Sequence, residues 1–285
     1  MFSVDSCFIK GADHSVCQDY TTHGFIGGDP TKPYIILCDG CSSAKDSDFG
    51  ARLLSRACVI AIEDLVMGMS VENINIADIE SLIRSTLGSI IRSLAYDTQH
   101  VLATVMLAFV IDGVTFIYSR GDGTIHIKRM NYSSDDTHIF DETIHVSYSS
   151  SAPFYLAYDL IPSGRDQYLK QFDVPRTVTT HIDGVYCASI DESATSVFST
   201  YMHGVESIIL SSDGMDSFRK MKSVTGIDES MLDRMHVLSR VKSFKNSSPG
   251  FVQRRVNRME QENQKFGIEH YDDFSVAAIV RIPNA

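Results

Sequence analysis

The chain has 285 residues, of which 44% are hydrophobic and 21% are charged, a balance that is typical of a soluble globular protein and excludes general disorder. Its net charge of −11 disfavours nucleic-acid binding, which needs clustered Lys and Arg, and no apolar run reaches the roughly 18 residues of a membrane span. The first residues lack a signal-peptide pattern, and several of the six cysteines stand in apolar runs. We therefore expect a cytoplasmic protein with reduced thiols and with no nucleic-acid or membrane partner.

The first half of the chain predicts two helices and an antiparallel hairpin. Helices are predicted at 47–67 and 76–96, where apolar residues recur at the three-to-four spacing of one buried face. Strands are predicted, in chain order, at 34–38, 103–111, 114–119 and 124–130. The second and third of these strands flank Asp112–Gly113, a strong hairpin-turn signal. Because both faces of the strand at 103–111 are apolar, we expect a second sheet on one side and the helices on the other.

The second half of the chain predicts mainly strands and loops up to residue 198. A buried strand at 207–212, an amphipathic helical region at 228–264 interrupted at 246–250, and a final strand at 274–282 follow. No Pro-, Gly- or Ser-rich linker divides the chain, so we expect residues 1–285 to form one domain. The predicted fold class is α+β, a four-layer α-β-β-α sandwich of two antiparallel sheets flanked by helices.

Acidic residues recur at the ends of the predicted strands. Asp39 and Asp213 follow buried strands, Asp272 precedes the last strand, and Asp122 and Asp19 lie in comparable positions. Carboxylates at strand ends can converge although they are far apart in sequence, and a divalent hard cation such as Mg²⁺ or Mn²⁺ offsets their mutual repulsion. A single Asp–Gly pair more simply closes a turn. Several acids at strand ends favour a metal site.

The ordered motifs resemble those of the metal-dependent protein serine/threonine phosphatases of the type 2C class, in a bacterial-type form. In chain order they are Gly11–Ala12–Asp13–His14 with Cys17–Gln18–Asp19, Cys38–Asp39–Gly40, Phe49–Gly50–Ala51, Ala103–Thr104, Gly121–Asp122–Gly123, Ser212–Asp213–Gly214 and Asp272–Asp273–Phe274–Ser275. Each motif is weak alone, but the ordered set is specific and covers almost the whole chain.

The resemblance implies two Mn²⁺ or Mg²⁺ ions at one end of the β-sandwich. Asp39 would bridge the two ions, and the carbonyl of Gly40 would ligate one of them. Asp213 and Asp272 would hold the other, and Asp19 would bind through water. The implied activity is hydrolysis of phosphoserine and phosphothreonine in a phosphorylated protein substrate, by in-line attack of a hydroxide that bridges the cations. We expect the protein to be a monomer.

Two departures from the family pattern concern the metals and the proton donor. The resemblance implies a weaker third metal site at Asp122 with Asp213, but position 217 is Ser where members often have an acid, and Asp216 lies one position earlier. Cys41 stands where many members have His as general acid, so water or His14 would protonate the leaving oxygen.

Three alternative interpretations remain open. Cys38 and Cys41 form a C-x-x-C pair, which is also found in thioredoxin-like proteins and predicts redox control if the thiols pair. A catalytically weak relative would act as a regulatory module that binds a phosphoprotein or another partner. The basic run at 253–258 predicts either a solvated helix face or a contact with a phosphoprotein.

Overall fold

The computed structural model describes residues 1–67, 70–132, 137–148, 152–172, 176–183, 185–191, 196–220 and 231–282. Five α-helices lie within these ranges: α1 (Ser47–Met67), α2 (Asp78–Leu94), α3 (Gly164–Phe172), α4 (Arg234–Val241) and α5 (Phe251–Phe266). The strands are β1 (Phe2–Ile9), β2 (Tyr20–Phe25), β3 (Pro33–Cys38), β4 (Val105–Ile111), β5 (Val114–Arg120), β6 (Gly123–Tyr132), β7 (Thr137–Tyr148), β8 (Arg176–Ile182), β9 (Val185–Asp191), β10 (Ser196–Met202), β11 (Val205–Ser211), β12 (Phe218–Lys220), β13 (Ile268–His270) and β14 (Phe274–Arg281).

Two antiparallel sheets face each other through an aliphatic core. The larger sheet has the order β1-β14-β11-β6-β7-β8-β9, and the smaller one has the order β10-β5-β4-β3-β2. Leu37 and Met106 of the smaller sheet pack against Ile127 and Leu210 of the larger one, and all four side chains are fully buried. Because successive strand residues point to opposite faces, the other half of each strand faces outward and needs a helical cover.

Helices supply that cover on both sides. Leu54 and Ile62 of α1 pack on Leu107 of the smaller sheet, together with the apolar face of α2. On the opposite side, Val252 of α5 packs on Val276 of the larger sheet, together with α4. The predicted four-layer α+β sandwich is therefore confirmed.

A buried ion-pair network joins the smaller sheet to α2. Arg120 at the end of β5 is 1% exposed, and its guanidinium contacts Glu80 at 2.8 Å and Asp159 at 2.6 Å. The side chain also lies over the ring of Phe154, at 4.7 Å from its centroid. Two carboxylates and a ring face thus compensate the cost of burying this cation.

The structure confirms the predicted helices, hairpin and final strand, and it corrects three points. Helix α3 was not predicted, because only Gly164 and Tyr168 of its nine residues are buried and no apolar stripe is visible. Strands β1 and β2 were not predicted either. The strand at 124–130 was predicted without the sheet to which it belongs, and the structure places β6 in the larger sheet. The predicted start of the helical region at residue 228 lies outside the described residues.

No helix in the described part of the chain combines the length and the apolar character that crossing a membrane requires.

Candidate metal centre

Strand pairing places Asp19 and Asp39 side by side at one end of the smaller sheet. Strands β2 and β3 are antiparallel, and Tyr20 lies opposite Cys38. Asp19 immediately precedes β2 and Asp39 immediately follows β3, so the two carboxylates emerge from the same edge. The Asp39 backbone is held from β4, because the Thr104 amide donates to the Asp39 carbonyl at 2.7 Å and the Asp39 amide donates to Thr104 Oγ1 at 3.2 Å.

The larger sheet brings Asp213 and Asp272 to the same end. Strands β11 and β14 are antiparallel, and hydrogen bonds continue beyond their paired residues. The Ser212 amide donates to the Ser275 carbonyl at 3.2 Å, and the Ser275 amide donates to Ser212 Oγ at 3.0 Å. Asp122 joins them from the turn between β5 and β6, where the chain passes from one sheet to the other.

Two glycines of the motifs are required by close backbone approach. A Cβ at Gly40 would lie 2.8 Å from the carbonyl oxygens of Gln18 and Ser47. A Cβ at Gly214 would lie 1.8 Å from the carbonyl oxygen of Asp273. Each Asp–Gly pair therefore does more than close a turn, since the glycine lets two chain segments meet directly beneath the acidic residue.

Burial raises the pKa of all five carboxyl groups. Burial, followed by the charges of Asp19 and Asp213, raises the pKa of Asp39 well above its usual value. Burial raises the pKa of Asp19 to about 7 and that of Asp213 to about 6, although the neighbouring Asp39 carboxyl group partly opposes both shifts. Burial also raises the pKa of Asp122 and of Asp272. This end of the sandwich therefore concentrates negative charge that favours either protons or a cation.

The side chain of Asp19 gives the strongest indication that this site binds a cation. Its side chain is 1% exposed, and no hydrogen bond to either carboxylate oxygen is found among the described residues. A buried carboxylate without partners is costly, and a divalent cation with its water shell would satisfy it. Among the described residues no three His, Cys, Asp or Glu side chains stand in a ready-made metal-ligating group. The residue types, all oxygen donors, nevertheless fit Mg²⁺ or Mn²⁺.

His14 lies at the rim of the acidic cluster. Its Nε2 is 3.4 Å from Asp272 Oδ1, and its Nδ1 is 2.8 Å from Asp273 Oδ2. Burial alone would lower the pKa of His14, but Asp273, Asp272 and Asp19 raise it above its usual value. The imidazole is therefore biased toward the protonated form.

Asp273 is a positioning residue that the sequence reasoning did not single out. It accepts hydrogen bonds from the backbone amides of Gly11 at 2.8 Å and Gln18 at 2.6 Å, and its side chain is 2% exposed. It thus ties the loop that carries His14 and Asp19 to the start of β14. The adjacent acids at 272 and 273 were visible as a pair, but nothing in the sequence separates a ligand from an anchor.

The two thiols of the C-x-x-C pair have different surroundings. Cys38 is fully buried and contacts Cys58, whereas Cys41 is partly exposed and lies 3.2 Å from Ser43 Oγ. Burial raises the pKa of Cys38, so its thiol stays protonated and unreactive. This arrangement disfavours the hypothesis of a Cys38–Cys41 redox switch. The side chain of Cys187 lies outside the described residues.

Asp216 is already neutralised by a neighbour. Arg234 contacts both of its carboxylate oxygens at 2.5 Å, in a bidentate pair. This acid is therefore less available than Asp122 to a cation.

The comparisons with known proteins identify the family of the chain. The model of the protein phosphatase 2C family matches residues 11–247, so the chain belongs to that family. Asp272 lies beyond the matched residues. A search of curated protein sequences finds no match.

Solved phosphatase structures share the fold over nearly the whole chain. A bacterial serine phosphatase is 9% identical and has a TM-score of 0.56, with 100% of both chains covered. Serine/threonine phosphatase Stp1 from Staphylococcus aureus is 10% identical, with a TM-score of 0.54 and coverage of 99% of this chain and 96% of that one. A serine-threonine phosphatase 2C from Toxoplasma gondii is 11% identical, with a TM-score of 0.54 and coverage of 98% and 94%.

Proposed function

We propose that the protein hydrolyses phosphoserine and phosphothreonine in proteins, with two Mn²⁺ or Mg²⁺ ions held by the acidic cluster. The observation that supports this most directly is Asp19, whose two buried carboxylate oxygens have no hydrogen-bond partner among the described residues and lie beside carboxyl groups of raised pKa. Membership of the protein phosphatase 2C family supports the reaction class.

The roles of the residues follow from their places in the fold. Asp39 would bridge the two ions, because its carboxyl group interacts with those of both Asp19 and Asp213. The Gly40 carbonyl would ligate one ion, and Asp213 with Asp272 would hold the other. When bound, the cations supply positive charge for the phosphoryl oxygens and acidify a water that can serve as nucleophile.

His14 is the proposed proton donor to the leaving oxygen of the serine or threonine. Its protonated form is favoured by the adjacent carboxylates, and Asp273 fixes the loop that carries it. Cys41 lies close to the buried hydroxyl of Tyr155, and burial raises the pKa of that phenol. Neither group is as ready a donor at neutral pH as an imidazolium, and bulk water is the remaining alternative.

A third cation would be held weakly. Asp122 and Asp213 interact through their charges, but Asp216 is paired with Arg234 and position 217 is Ser. Two carboxylates with water would leave most of the coordination sphere to solvent. We propose that occupancy of this site needs a higher cation concentration than the other two.

Hydrolysis of a small aryl phosphate tests the proposed reaction. We expect turnover that depends on Mn²⁺ or Mg²⁺, disappears with chelator, and falls ~100-fold or more in Asp39→Asn, because several kcal/mol of charge stabilisation are lost. Phosphoserine and phosphothreonine peptides should then be hydrolysed in preference to phosphotyrosine peptides. Wild-type turnover no higher than that of Asp39→Asn would refute the enzyme and favour a regulatory binding role.

A further inference from the structure

A cationic cleft lies away from the acidic centre, between α4, α5 and the loop that joins them. Its volume is about 510 Å³, within the usual range for a ligand-binding cleft. Five cationic side chains line it: Arg240, Lys245, Arg254, Arg255 and Arg258. Glu262 is the single carboxylate among its described lining residues. Such an excess of positive charge is unusual in a chain whose net charge is −11.

The positive charge of the cleft is not balanced internally. Glu262 is shared by three guanidinium groups, at 3.0 Å from Arg258, 3.3 Å from Arg240 and 3.9 Å from Arg255. Burial, together with the neighbouring cations Arg240 and Arg258, lowers the pKa of Arg255, although Glu262 opposes this. One carboxylate facing three guanidinium groups leaves room for a further anion.

The walls of the cleft are held in place before any ligand arrives. Arg254 donates to the carbonyls of Pro249 at 2.5 Å and Ser248 at 2.9 Å, which braces the loop. Arg255 Nε donates to the Arg240 carbonyl at 2.5 Å, which joins the two helices. Phe251 is buried in the floor. A site that is already ordered loses little entropy on binding.

A second cleft adjoins the first, shares Asn246 with it and is also lined by cationic side chains. Lys128, Lys242 and Arg281 line this cleft; Lys242 pairs with Asp141 at 2.9 Å and Arg281 with Glu206 at 3.3 Å, whereas Lys128 has no carboxylate partner among the described residues. His126 also lines this cleft, and burial with the charges of Lys242 and Lys128 lowers its pKa to about 4, although Asp141, 3.3 Å from its Nδ1, opposes this shift. The combined surface is longer than one phosphate group, which favours an extended anionic ligand.

We propose that the two clefts form a docking surface for a phosphorylated, acidic polypeptide segment, whose phosphate group binds between Lys245, Arg255 and Arg258. Arginine matches the geometry of a phosphate monoester, and the acidic residues around the phosphate would follow the neighbouring cationic cleft. The choice of a phosphoprotein rests on the proposed function, but binding here does not require the acidic centre to be active.

Fluorescence anisotropy with a labelled acidic phosphoserine peptide tests the proposal. EDTA in the buffer prevents both hydrolysis and binding through a cation. The test variant is Lys245→Gln with Arg258→Gln, since both side chains are exposed and neither anchors the fold. The matched control is Lys170→Gln with Arg165→Gln, which removes the same two residue types from the exposed face of α3.

We expect the peptide to bind the wild type in a salt-dependent manner and to bind the test variant about tenfold or more weakly, with little change in the control. The unphosphorylated peptide should bind weakly to all three proteins. Equal losses in the test and control variants would overturn the proposal, because net charge alone would then explain binding. Lys245→Gln alone should show an intermediate loss, and a wild-type affinity in both cleft variants would also overturn it.

Competitors distinguish the occupants. Inorganic phosphate or a nucleoside triphosphate that competes at concentrations as low as the phosphopeptide would assign the cleft to a small anion, and an RNA oligonucleotide that binds more tightly would assign it to nucleic acid. Either result overturns the proposal of a polypeptide ligand.

Turnover of an aryl phosphate, measured separately with Mn²⁺, should be unchanged in the test variant. Failure of that turnover in the wild type would refute the proposed reaction and leave the binding result standing.

Discussion

The acidic residues proposed to bind cations at the end of the sandwich lower the stability of the folded protein. The carboxyl group of Asp39 interacts with those of Asp19 and Asp213, so its ionised form is opposed by these like charges as well as by burial. A carboxyl group whose folded-state pKa is raised destabilises the folded protein as pH rises above its unfolded pKa, because the folded state then holds protons that the unfolded state releases. The cost is therefore largest at neutral and alkaline pH.

Asp39→Asn should make the protein more stable in the presence of chelator. At pH 8 we expect a gain of about 1–2 kcal/mol in the free energy of unfolding, because one buried like charge is removed. The added stability that Mn²⁺ gives the wild type should be reduced or absent in the variant. Urea unfolding with and without Mn²⁺ measures both effects, and a less stable variant in chelator would contradict the repulsion.

Asp213→Asn tests whether Asp213 binds a cation without disturbing the fold. The amide keeps the shape of the side chain but loses the charge that a cation needs, so aryl phosphate turnover should fall ~100-fold or more. The far-UV circular dichroism spectrum should match that of the wild type. Unchanged turnover in a folded variant would show that Asp213 does not hold a cation.

At the scale of single residues, the sequence made some parts of the site visible and left others hidden. Asp39 and Asp213 stand out because each follows an apolar strand and precedes a glycine. Asp273 does not, because its partners are the backbone amides of Gly11 and Gln18, which are more than 250 positions away. Backbone partners leave no side-chain pattern, so only the folded geometry identifies such an anchor.

At the scale of elements, hydrophobic periodicity predicted the helices that bury one continuous apolar face. Helix α1 was predicted at its observed bounds, because one of its faces is continuously apolar and buried. The sheet to which β6 belongs was not predictable. Gly121 and Gly123 have φ values of 98° and 130°, which allow the chain to leave the smaller sheet and enter the larger one. An Asp–Gly turn is equally compatible with a strand that stays in the same sheet, so the local sequence does not determine which sheet β6 joins.

Two adjacent strands of the larger sheet carry a reciprocal pair of histidines. Thr124 lies opposite His145 and His126 lies opposite Thr143, and the histidine Nδ1 atoms are 3.1 Å and 3.0 Å from the threonine hydroxyls. Burial first, and then nearby cations, lowers the pKa of each histidine to about 4, although Asp141 beside His126 and Asp216 near His145 oppose the shift. Both imidazoles are therefore buried in the neutral form.

Acidification should destabilise the protein through this pair. The unfolded state binds protons near pH 6.5 and the folded state only near pH 4, so stability falls as pH decreases between these values, by up to about 3 kcal/mol for each histidine. Urea unfolding at pH 7 and pH 4.5 would compare the wild type with His126→Gln plus His145→Gln. The variant should lose less stability than the wild type, and equal losses would contradict neutral burial.

At the scale of the whole molecule, the core between the sheets is shared by strands from both ends of the chain. Strand β1 pairs with β14 along its whole length, so the first and last described elements are neighbours. Such closure favours a single cooperative unit over two independent ones. The sequence anticipated this only indirectly, through the lack of a linker and the spread of one motif set.

We therefore predict one unfolding transition for residues 1–285. Far-UV circular dichroism should report the same urea midpoint as the near-UV signal of the tyrosines. Two separated midpoints would show that the sandwich comprises more than one cooperative unit.

The seam between the sheets has a mechanical consequence. Along most of its length the two layers adhere through aliphatic contacts, which are not directional. At the acidic end the layers carry like charges, Asp19 and Asp39 on one side and Asp213 and Asp272 on the other. Repulsion between these carboxylates pushes the two layers apart at that end, and a ligand that attracts both sides would hold them together. The affinity of such a ligand would then depend on how freely the two layers shear.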